Sequence, residues 1–580
     1  MILSLSGTGV SDGIAVGLVH LLSSGELDLP EYHLDADETS AEVDRLNEAA
    51  SRCEAELSRM ESDFGLDRQK SAAELIRAHR LMLQDEMLVG AAARRIKDER
   101  INAEWAVDLQ AAELRRQFAR VEDDYLALRA EDLDQVVRLL QRQLADQPAS
   151  VLDERVPHQL DETVVLADSL SPAELAALHQ RRVAGLVTEH GSIWSHAAII
   201  ARSLAIPMVM AVQRSLVLLR EGEPVILDSH YGIVLATRDE RLHGHYVDKM
   251  ASAKRKQRAL DRYLAAPDRT RDGERFHLFG NAELQPELDR CRELGAAGVG
   301  LMRSEFIFAR SELPDEEAQY AVYRAAVEAL DGRPLTIRTL DAGGDKLPEE
   351  FRRVSGPNPA LGLRGIRMSL AMREYFRVQL RAILRASAHG PVRILLPMLS
   401  RVSEIRQARE LVVGCRDELR ARGLQVDPEI RVGGMIETPA AAVMAETFAA
   451  ELDFVSIGTN DLTQYVLAVD RQDELVSHLF DPSSRAVIEL LAVIVRGAAQ
   501  AGRPVQICGE LAADPAYATL LLGLGIREFS VPPGSIPAVK AALVRSSARQ
   551  AGELVADFLS GPGQACVREL LDRLETISAA

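Results

Sequence analysis

A histidine stands at the start of a predicted helix in the stretch GSIWSHAAIIARSLAIP, residues 191–207. Ser195 is a suitable N-cap for a helix that begins near His196, because its hydroxyl can accept a hydrogen bond from a free backbone N–H group. The positive end of a helix favours neutral imidazole over imidazolium and stabilises an anion placed on the ring. His196 is therefore a candidate nucleophile that could carry a phosphoryl group. A capping or surface histidine is the more common role at a helix start, and the spacing alone does not exclude it.

Further chemically capable residues lie in the C-terminal half, where short apolar stretches repeatedly end in charged side chains. Two carboxylates, Glu437 and Asp461, follow neighbouring apolar stretches. Proteins usually bind Mg²⁺ through one or two carboxylates, while water and substrate oxygens supply its other ligands. Guanidinium groups bind phosphate and carboxylate through paired hydrogen bonds. The combination predicts a site for a small polyanion held with a divalent metal. Its cations stand at or just after the ends of the apolar stretches, or in the loops that follow: Arg303, Arg338, Lys346 and Arg471.

Two more residues at these ends could take part in the chemistry. Asn460 could donate a hydrogen bond to a phosphate oxygen, and Cys508 ends the seventh apolar stretch, where a thiol could serve as a proton donor. The residues alone favour a buried structural cysteine at position 508, since free cysteine is among the most buried residue types.

The elements that must position these residues form a regular series from about residue 275 onward. Each unit is a short apolar strand that ends in polar residues and is followed by a helix. Eight such units in roughly 300 residues predict a (β/α)₈ barrel over residues 266–580, whose active site would lie at the C-terminal ends of the strands. The strand ends are FHLFGNAE, GVGLMRSEF, LTIRTLDAGGDK, VRILLPM, RVGGMIET, DFVSIGTND, PVQICGE and REFSV.

The N-terminal half has a different pattern. Residues 26–146 are rich in Ala, Glu, Leu and Arg and carry the i, i+3, i+4 apolar spacing of amphipathic helices, which predicts a helical hairpin or bundle. Residues 147–235 alternate apolar strands with helices, and we expect residues 1–25 to complete that α/β domain. The helical segment would then be an insertion. A charged stretch over 236–265 is predicted to be a linker helix.

Composition narrows the functional class. The chain has 580 residues and a net charge of −19, which argues against nucleic acid or an anionic membrane as the main partner. The first residues, MILSLSGTGV, carry no basic region of the kind found in secretory signals, and no uncharged apolar run is long enough to span a bilayer. Five widely spaced cysteines without a CxxC pair fit reduced thiols. We therefore expect a cytoplasmic protein without membrane insertion.

The sequence resembles enzyme I of the bacterial sugar phosphotransferase system, the phosphoenolpyruvate–protein phosphotransferase family. SHAAIIARSLAIP resembles the phosphohistidine segment of that family, and the N-terminal phrases SDGIAVG, HRLMLQDE and DDYLALRAEDLDQV resemble it too. The barrel motifs follow in the family's order: GLMRSEFIF, RTLDAGGDK, NPALGLRGIR, MIETPAA, FVSIGTNDLTQYVLAVDR and CGELAAD.

This resemblance implies a role for each candidate. His196 would accept the phosphoryl group of phosphoenolpyruvate, Glu437 and Asp461 would bind Mg²⁺, and Cys508, beside Glu510, would handle the proton on the methylene carbon. The phosphate and carboxylate of the substrate would be held by Arg303, Arg338, Lys346, Asn460 and Arg471. The helical domain would dock HPr, the carrier protein whose histidine is phosphorylated next. The α/β domain would swivel between barrel and carrier, and the barrel would form a homodimer.

The chain also departs from the family pattern. The stretch before the histidine usually reads GGRTSH, whereas here Ser192, Ile193 and Trp194 replace the second Gly, the Arg and the Thr. Lys70 and Gln84 stand where carboxylates would normally meet a basic HPr. Since electrostatic complementarity mainly sets association rate and partner choice, a dedicated HPr-like carrier is a competing hypothesis to the general one. Pro532, Pro533 and Gly534 also alter the loop after the eighth strand, without an evident consequence.

Three other functional classes can be compared with this interpretation. Pyruvate phosphate dikinase and phosphoenolpyruvate synthase share the histidine domain and the barrel, but they need an ATP-grasp domain that this sequence does not offer. An inactive regulatory relative would explain the altered GSIWSH stretch, but it would have no need of a proton-handling thiol. A metal-dependent aldolase on a bare barrel would leave the first 236 residues without a purpose.

Overall fold

The computed structural model of the protein describes residues 2–11, 13–22, 30–66, 79–83, 85–119, 124–145, 160–191, 196–204, 206–283, 285–308, 313–342, 358–471, 473, 475–561 and 566–579. The chain divides into two compact units, Met1–Lys254 and Arg255–Ala580.

The first unit contains an eight-stranded mixed sheet in the order β1-β8-β7-β3-β4-β5-β6-β2. Buried aliphatic residues cover both faces of its central strands, as expected of a sheet enclosed in an α/β domain. The strands are β1 Leu3–Ser6, β2 Thr8–Ser11, β3 Ile14–Leu22, β4 Thr163–Ala167, β5 Gly185–Thr188, β6 Met208–Met210, β7 Pro224–Asp228 and β8 Ile233–Ala236.

The pairing of β3 with β4 shows how the helical segment joins this sheet. Leu18 pairs with Thr163 and Leu22 with Ala167, in parallel, although about 140 residues separate the two strands in sequence. The helices between them are therefore an insertion into the sheet domain. They are Thr39–Leu66, a π-helix Glu86–Gly90, Ala91–Glu99, Ala103–Ala119 and Asp124–Leu144.

One arginine joins three of the inserted helices. The guanidinium of Arg45 donates to both carboxylate oxygens of Glu42, at 3.0 and 2.7 Å, and to both of Glu104, at 2.9 and 2.5 Å. It also donates to the carbonyl oxygen of Leu144 at 3.0 Å. Both glutamates are buried. Because each carboxylate depends on the same cation, this cluster fixes how the helices pack.

We expect Arg45→Met to lower the free energy of unfolding of the first unit by about 3 kcal/mol, because the change leaves two buried carboxylates without their cation. Urea unfolding followed by circular dichroism measures the effect. Arg94→Met is the matched control, since Arg94 is 62% exposed and forms a single ion pair with Glu86 at 3.4 Å; exposed pairs of this kind contribute about 0–1 kcal/mol. Equal midpoints for the two variants would contradict the prediction.

Three of the remaining helices connect strands of the sheet, and a fourth follows its last strand. In the helix Pro172–Gln180, Ser171 and Glu174 form a capping box and Pro172 occupies the first turn, so the sequence SPAE specifies where the helix begins. The others are His196–Ser203, Ser215–Leu218 and the long helix Glu240–Leu264, which contains the boundary between the two units.

The second unit is a closed barrel of eight parallel strands, in which each strand pairs with the next and β16 pairs with β9. The strands are β9 His277–Ala282, β10 Val299–Met302, β11 Leu335–Arg338, β12 Val392–Leu396, β13 Arg431–Ile436, β14 Phe454–Ile457, β15 Val505–Ile507 and β16 Glu528–Val531. Every strand coincides with one of the eight predicted apolar stretches.

Helices follow these strands and pack against the outside of the barrel. They are Gln285–Glu293, Glu305–Phe308, Glu316–Ala329, Gly365–Ala371, Arg373–Ala386, Val402–Ala421, Pro439–Val443, Ala445–Ala450, Thr459–Leu467, Arg485–Gln500, Pro515–Gly523, Ile536–Arg545, Ala548–Ser560 and Val567–Ala579. Short 3₁₀ turns cover Ser387–His389, Ser477–Leu479, Glu510–Ala513 and Pro533–Ser535. The predicted fold class is confirmed: an α/β domain with inserted helices, followed by a (β/α)₈ barrel. None of the helices in the described ranges has the length and apolarity needed to cross a bilayer.

Candidate active site

The helix His196–Ser203 begins at the histidine, at the position that the sequence predicts. Ala197, Ala198 and Ala201 on this helix are buried, so small side chains let it pack closely against the sheet. Residues 192–195 and the side chain of His196 lie outside the described residues. The predicted cap Ser195 and the altered stretch before the histidine therefore lie outside them too, and the role of His196 stays a prediction.

All of the other described candidates except Arg471 lie at or just after the C-terminal ends of barrel strands. Arg303 follows β10, Arg338 ends β11, Glu437 follows β13, and Cys508 follows β15. Asn460 and Asp461 lie in the first turn of the helix after β14, and Glu510 begins the 3₁₀ turn after β15. Arg471 lies in the loop after the same helix as Asp461. Lys346, Lys70 and Gln84 are outside the described residues.

Arg338 lies in a buried cluster of opposite charges. Its guanidinium donates to Glu305 at 2.8 Å and lies 3.3 Å from an oxygen of Asp341. Burial opposes the charge on Arg338, but Glu305, Asp341 and Glu437 outweigh it and raise the pKa of the guanidinium. Arg303 is half-exposed and pairs with Glu283 at 2.9 Å. Both arginines are thus oriented at the rim by carboxylates.

Arg364 is a functional candidate that sequence reasoning missed. Its guanidinium donates to both oxygens of Asp341, at 3.1 and 2.9 Å, and lies 3.4 Å from Asp461 and 3.3 Å from the hydroxyl of Tyr465. Arg364 immediately precedes the helix Gly365–Ala371 and does not lie at a strand end. A search for charged residues at the ends of predicted strands therefore did not identify it. Its position in the motif NPALGLRGIR, directly before a helix, could have identified it.

Two buried carboxylates at this rim repel one another. Glu437 is 1% exposed and accepts a hydrogen bond from the backbone N–H of Met398 at 2.6 Å, while Asp461 is 8% exposed. Burial, followed by the charges of Asp461 and Asp341, raises the pKa of Glu437 to about 8. Gly458 leaves room for this carboxylate, because a Cβ there would lie 2.7 Å from Glu437 Oε2. Two buried carboxylates that repel one another fit a divalent cation with oxygen ligands.

Asn460 and Glu510 hold one another in place. Asn460 Nδ2 donates to Glu510 Oε1 at 2.9 Å, and the backbone N–H of Glu510 donates to Asn460 Oδ1 at 3.2 Å. The helix after β14 is therefore joined to the turn after β15. Because its oxygen and nitrogen are both bonded, the amide of Asn460 has a fixed orientation at the rim.

Cys508 lies at the same end of the barrel, directly after β15. Its side chain is buried among residues of the barrel interior, including Leu301, Met435 and Phe454. Burial raises the pKa of the thiol to about 11, although a hydrogen bond from Ser456 lowers it in part. The thiol is therefore protonated at neutral pH, which is the state that a proton donor requires.

Comparisons with known proteins agree with this architecture. Family models match most of the chain: "PEP-utilising enzyme, N-terminal" over residues 6–129, "PEP-utilising enzyme, mobile domain" over 160–232, and "PEP-utilising enzyme, PEP-binding domain" over 257–548. The third match spans half of the chain and contains the whole rim described above.

The chain is also similar to curated proteins named phosphoenolpyruvate-protein phosphotransferase. It is 40% identical to the protein of Cupriavidus necator over 568 residues, which cover 96% of both chains. It is 35% identical to the protein of Listeria monocytogenes over 579 residues, which cover 98% of this chain and 99% of the relative. A third relative, from Geobacillus stearothermophilus, is 35% identical over 96% of both chains. Because identity at this level extends over both units, the chain belongs to the family of phosphoenolpyruvate–protein phosphotransferases, the enzyme I family.

Proposed function

We propose that this enzyme transfers the phosphoryl group of phosphoenolpyruvate to His196 and then to the histidine of a carrier protein, with release of pyruvate. The observation that supports the first half-reaction best is the composition of one barrel rim. Arginines held by carboxylates, a pair of buried carboxylates and a protonated thiol meet there, and these groups suit phosphoryl transfer with proton delivery to an enolate. Catalysis would rest mainly on positioning and electrostatic stabilisation.

Each candidate residue of the C-terminal half has a distinct part in this proposal. Arg303, Arg338, Lys346 and Arg471 neutralise the phosphate and carboxylate of the substrate, and Asn460 donates to a phosphate oxygen. Arg364 joins this cationic set by virtue of its buried pairs with Asp341 and Asp461. Cys508 gives a proton to the methylene carbon of the enolate, and Glu510 orients Asn460. The family membership supports these assignments, since the rim lies within the matched PEP-binding domain.

For the metal, we propose Mg²⁺ held by Glu437 and Asp461. A bound divalent cation supplies charge neutralisation for the transferring phosphoryl group and the enolate. The donor set supports a hard cation, because both side chains offer carboxylate oxygens only. Burial, followed by the charges of Asp461 and Asp341, raises the pKa of Glu437, and a bound cation would offset the repulsion between these carboxylates.

The second half-reaction is proposed from the family and the domain organisation. Residues 1–25 with 147–235 would form the swivelling phosphohistidine domain, 26–146 the docking domain for HPr or a dedicated HPr-like carrier, 236–265 the linker helix, and 266–580 the catalytic and dimerisation barrel. In this scheme the enzyme is a cytoplasmic homodimer that performs the first step of a sugar phosphotransferase system.

Intact-protein mass spectrometry after mixing with phosphoenolpyruvate and Mg²⁺ tests the nucleophile. We expect one acid-labile phosphoryl group on the wild type and none on His196→Ala. His190→Ala is the matched control, since His190 is an exposed histidine six residues earlier whose Nδ1 bonds to Asp168 at 2.7 Å. It should keep the adduct. A wild type that binds phosphoenolpyruvate without forming an adduct would contradict the proposal and favour a sensor or scaffold.

A further inference from the structure

The thiol of Cys508 has an ordered hydrogen-bonding environment inside the barrel. The hydroxyl of Ser456, on β14, donates to Cys508 Sγ at 3.3 Å, and the thiol can donate to the carbonyl oxygen of Ile457 at 3.4 Å. Ser456 is fully buried and Cys508 is 5% exposed. Within the described parts of the chain, Ser456 is the one side chain that hydrogen-bonds to this sulfur.

Gln506, on β15, holds Ser456 in turn. Its amide nitrogen donates to the carbonyl oxygen of Gly300 at 2.8 Å and lies 3.4 Å from Ser456 Oγ. The absence of a side chain at Gly300 makes this arrangement possible, because a Cβ there would lie 2.8 Å from Gln506 Oε1. The bond to Gly300 fixes the amide so that it donates to the serine oxygen. The serine hydrogen is then directed to the sulfur.

This chain of donors matters when the thiol gives up its proton. The S–H bond breaks, a C–H bond forms at the methylene carbon of the enolate, and a thiolate remains until water returns a proton to it. A thiolate in an apolar pocket is costly unless a donor faces it. We propose that Ser456, held by Gln506, is a positioning residue that orients the Cys508 thiol and stabilises the thiolate left by proton transfer. This inference rests on the proposed role of Cys508.

The charged groups that act on the thiol do not replace the serine. Glu437, after β13, raises the pKa of Cys508, whereas Arg338, on β11, and Arg303, after β10, lower it. Burial has the largest effect and the bond from Ser456 comes second. Both arginines are paired with carboxylates, at 2.8 and 2.9 Å, so their charges are largely compensated.

The test compares Ser456→Ala with Ser530→Ala and Cys508→Ala in the full-length protein. Ser530 is an equally buried serine inside the barrel, but its hydroxyl bonds to Gly280 and Asn281 and not to the thiol. The first readout is the single-turnover rate of pyruvate formation over a range of phosphoenolpyruvate concentrations. The second is the rate at which iodoacetamide alkylates Cys508 at pH 9, resolved by peptide mass spectrometry, which reports the thiolate fraction.

For Ser456→Ala we expect both rates to fall about tenfold, the usual effect of losing a hydrogen bond to a charged group, with an unchanged half-saturating phosphoenolpyruvate concentration. Ser530→Ala should stay within about twofold of wild type in both. If Cys508 in Ser456→Ala is alkylated as fast as in Ser530→Ala, the inference is overturned, whatever the rate of pyruvate formation. Normal pyruvate formation by Cys508→Ala would instead contradict the proposed role of the thiol itself.

Discussion

Glu437→Gln is expected to lower kcat/KM for phosphoenolpyruvate by about 10²–10³-fold, because it removes one of the two carboxylates proposed to hold the cation. The variant keeps a carbonyl acceptor for the backbone N–H of Met398, which lies 2.6 Å from Glu437 Oε1 in the wild type. The local fold should therefore persist while metal dependence changes. Activity measured across a Mg²⁺ titration would show a higher metal requirement and a lower maximum.

The same substitution should increase stability without metal, and the gain should depend on pH. Burial and two neighbouring carboxylates raise the pKa of Glu437 to about 8, whereas the pKa of a glutamate in the unfolded chain is about 4.3. Between these two pH values Glu437 is protonated in the folded state and ionised in the unfolded state. Its contribution to the free energy of unfolding of the wild type therefore decreases as pH rises from about 4.5 to 8. Glutamine does not titrate, so the free energy of unfolding of Glu437→Gln does not decrease in this way. Its thermal midpoint in EDTA should exceed that of wild type more at pH 8 than at pH 5.5.

Glu446→Gln provides the matched control for both measurements. Glu446 is an exposed carboxylate in the first turn of the helix Ala445–Ala450. Its amide variant should behave as wild type in activity and in the pH dependence of its midpoint. A Glu437→Gln enzyme with normal activity and an unchanged metal requirement would contradict the assignment of the metal pair.

Arg364→Leu is expected to reduce both activity and stability, unlike Glu437→Gln. Loss of the guanidinium removes two hydrogen bonds to Asp341 and the ion pair with Asp461 at 3.4 Å. Breaking a buried pair from one side costs about 3–5 kcal/mol, and we expect a loss of this size in the unfolding of the barrel. In the wild type, Arg338 and Arg364 outweigh the effect of burial and lower the pKa of Asp341. Of these two arginines, the variant keeps only Arg338 beside Asp341.

We expect kcat/KM for phosphoenolpyruvate to fall about 10²–10³-fold in Arg364→Leu, as when a preorganised donor is removed. Arg367→Leu is the control, since Arg367 lies one turn away and donates to a backbone carbonyl, that of Leu361, at 3.1 Å. Urea unfolding and steady-state kinetics of both variants make the comparison. If the two arginine variants have equal activity, Arg364 has no part in substrate binding.

The sequence alone was sufficient to predict the elements and the end of the barrel at which most of the candidate residues lie. Apolar stretches of strand length alternating with helices specify a parallel sheet that must be covered on its outside. The polar residues that end successive strands, such as Arg338 and Glu437, must then meet at one rim, because parallel strands share a direction. The insertion was predictable for a similar reason, since the helical period of residues 26–146 interrupts an α/β pattern.

Only the tertiary structure decided which of these side chains contact one another. Arg364 and Asp461 are 97 residues apart in sequence, and Ser456 and Cys508 are 52 apart, yet each pair is joined by a hydrogen bond. Such pairings depend on the register in which the strands close the barrel, for example Ile457 beside Ile507. The raised pKa values of Glu437 and Cys508 follow from burial, which no local pattern encodes. Residue types and their spacing determined which side chains are available to the candidate site. Closure of the barrel determined their contacts, their burial and their pKa values.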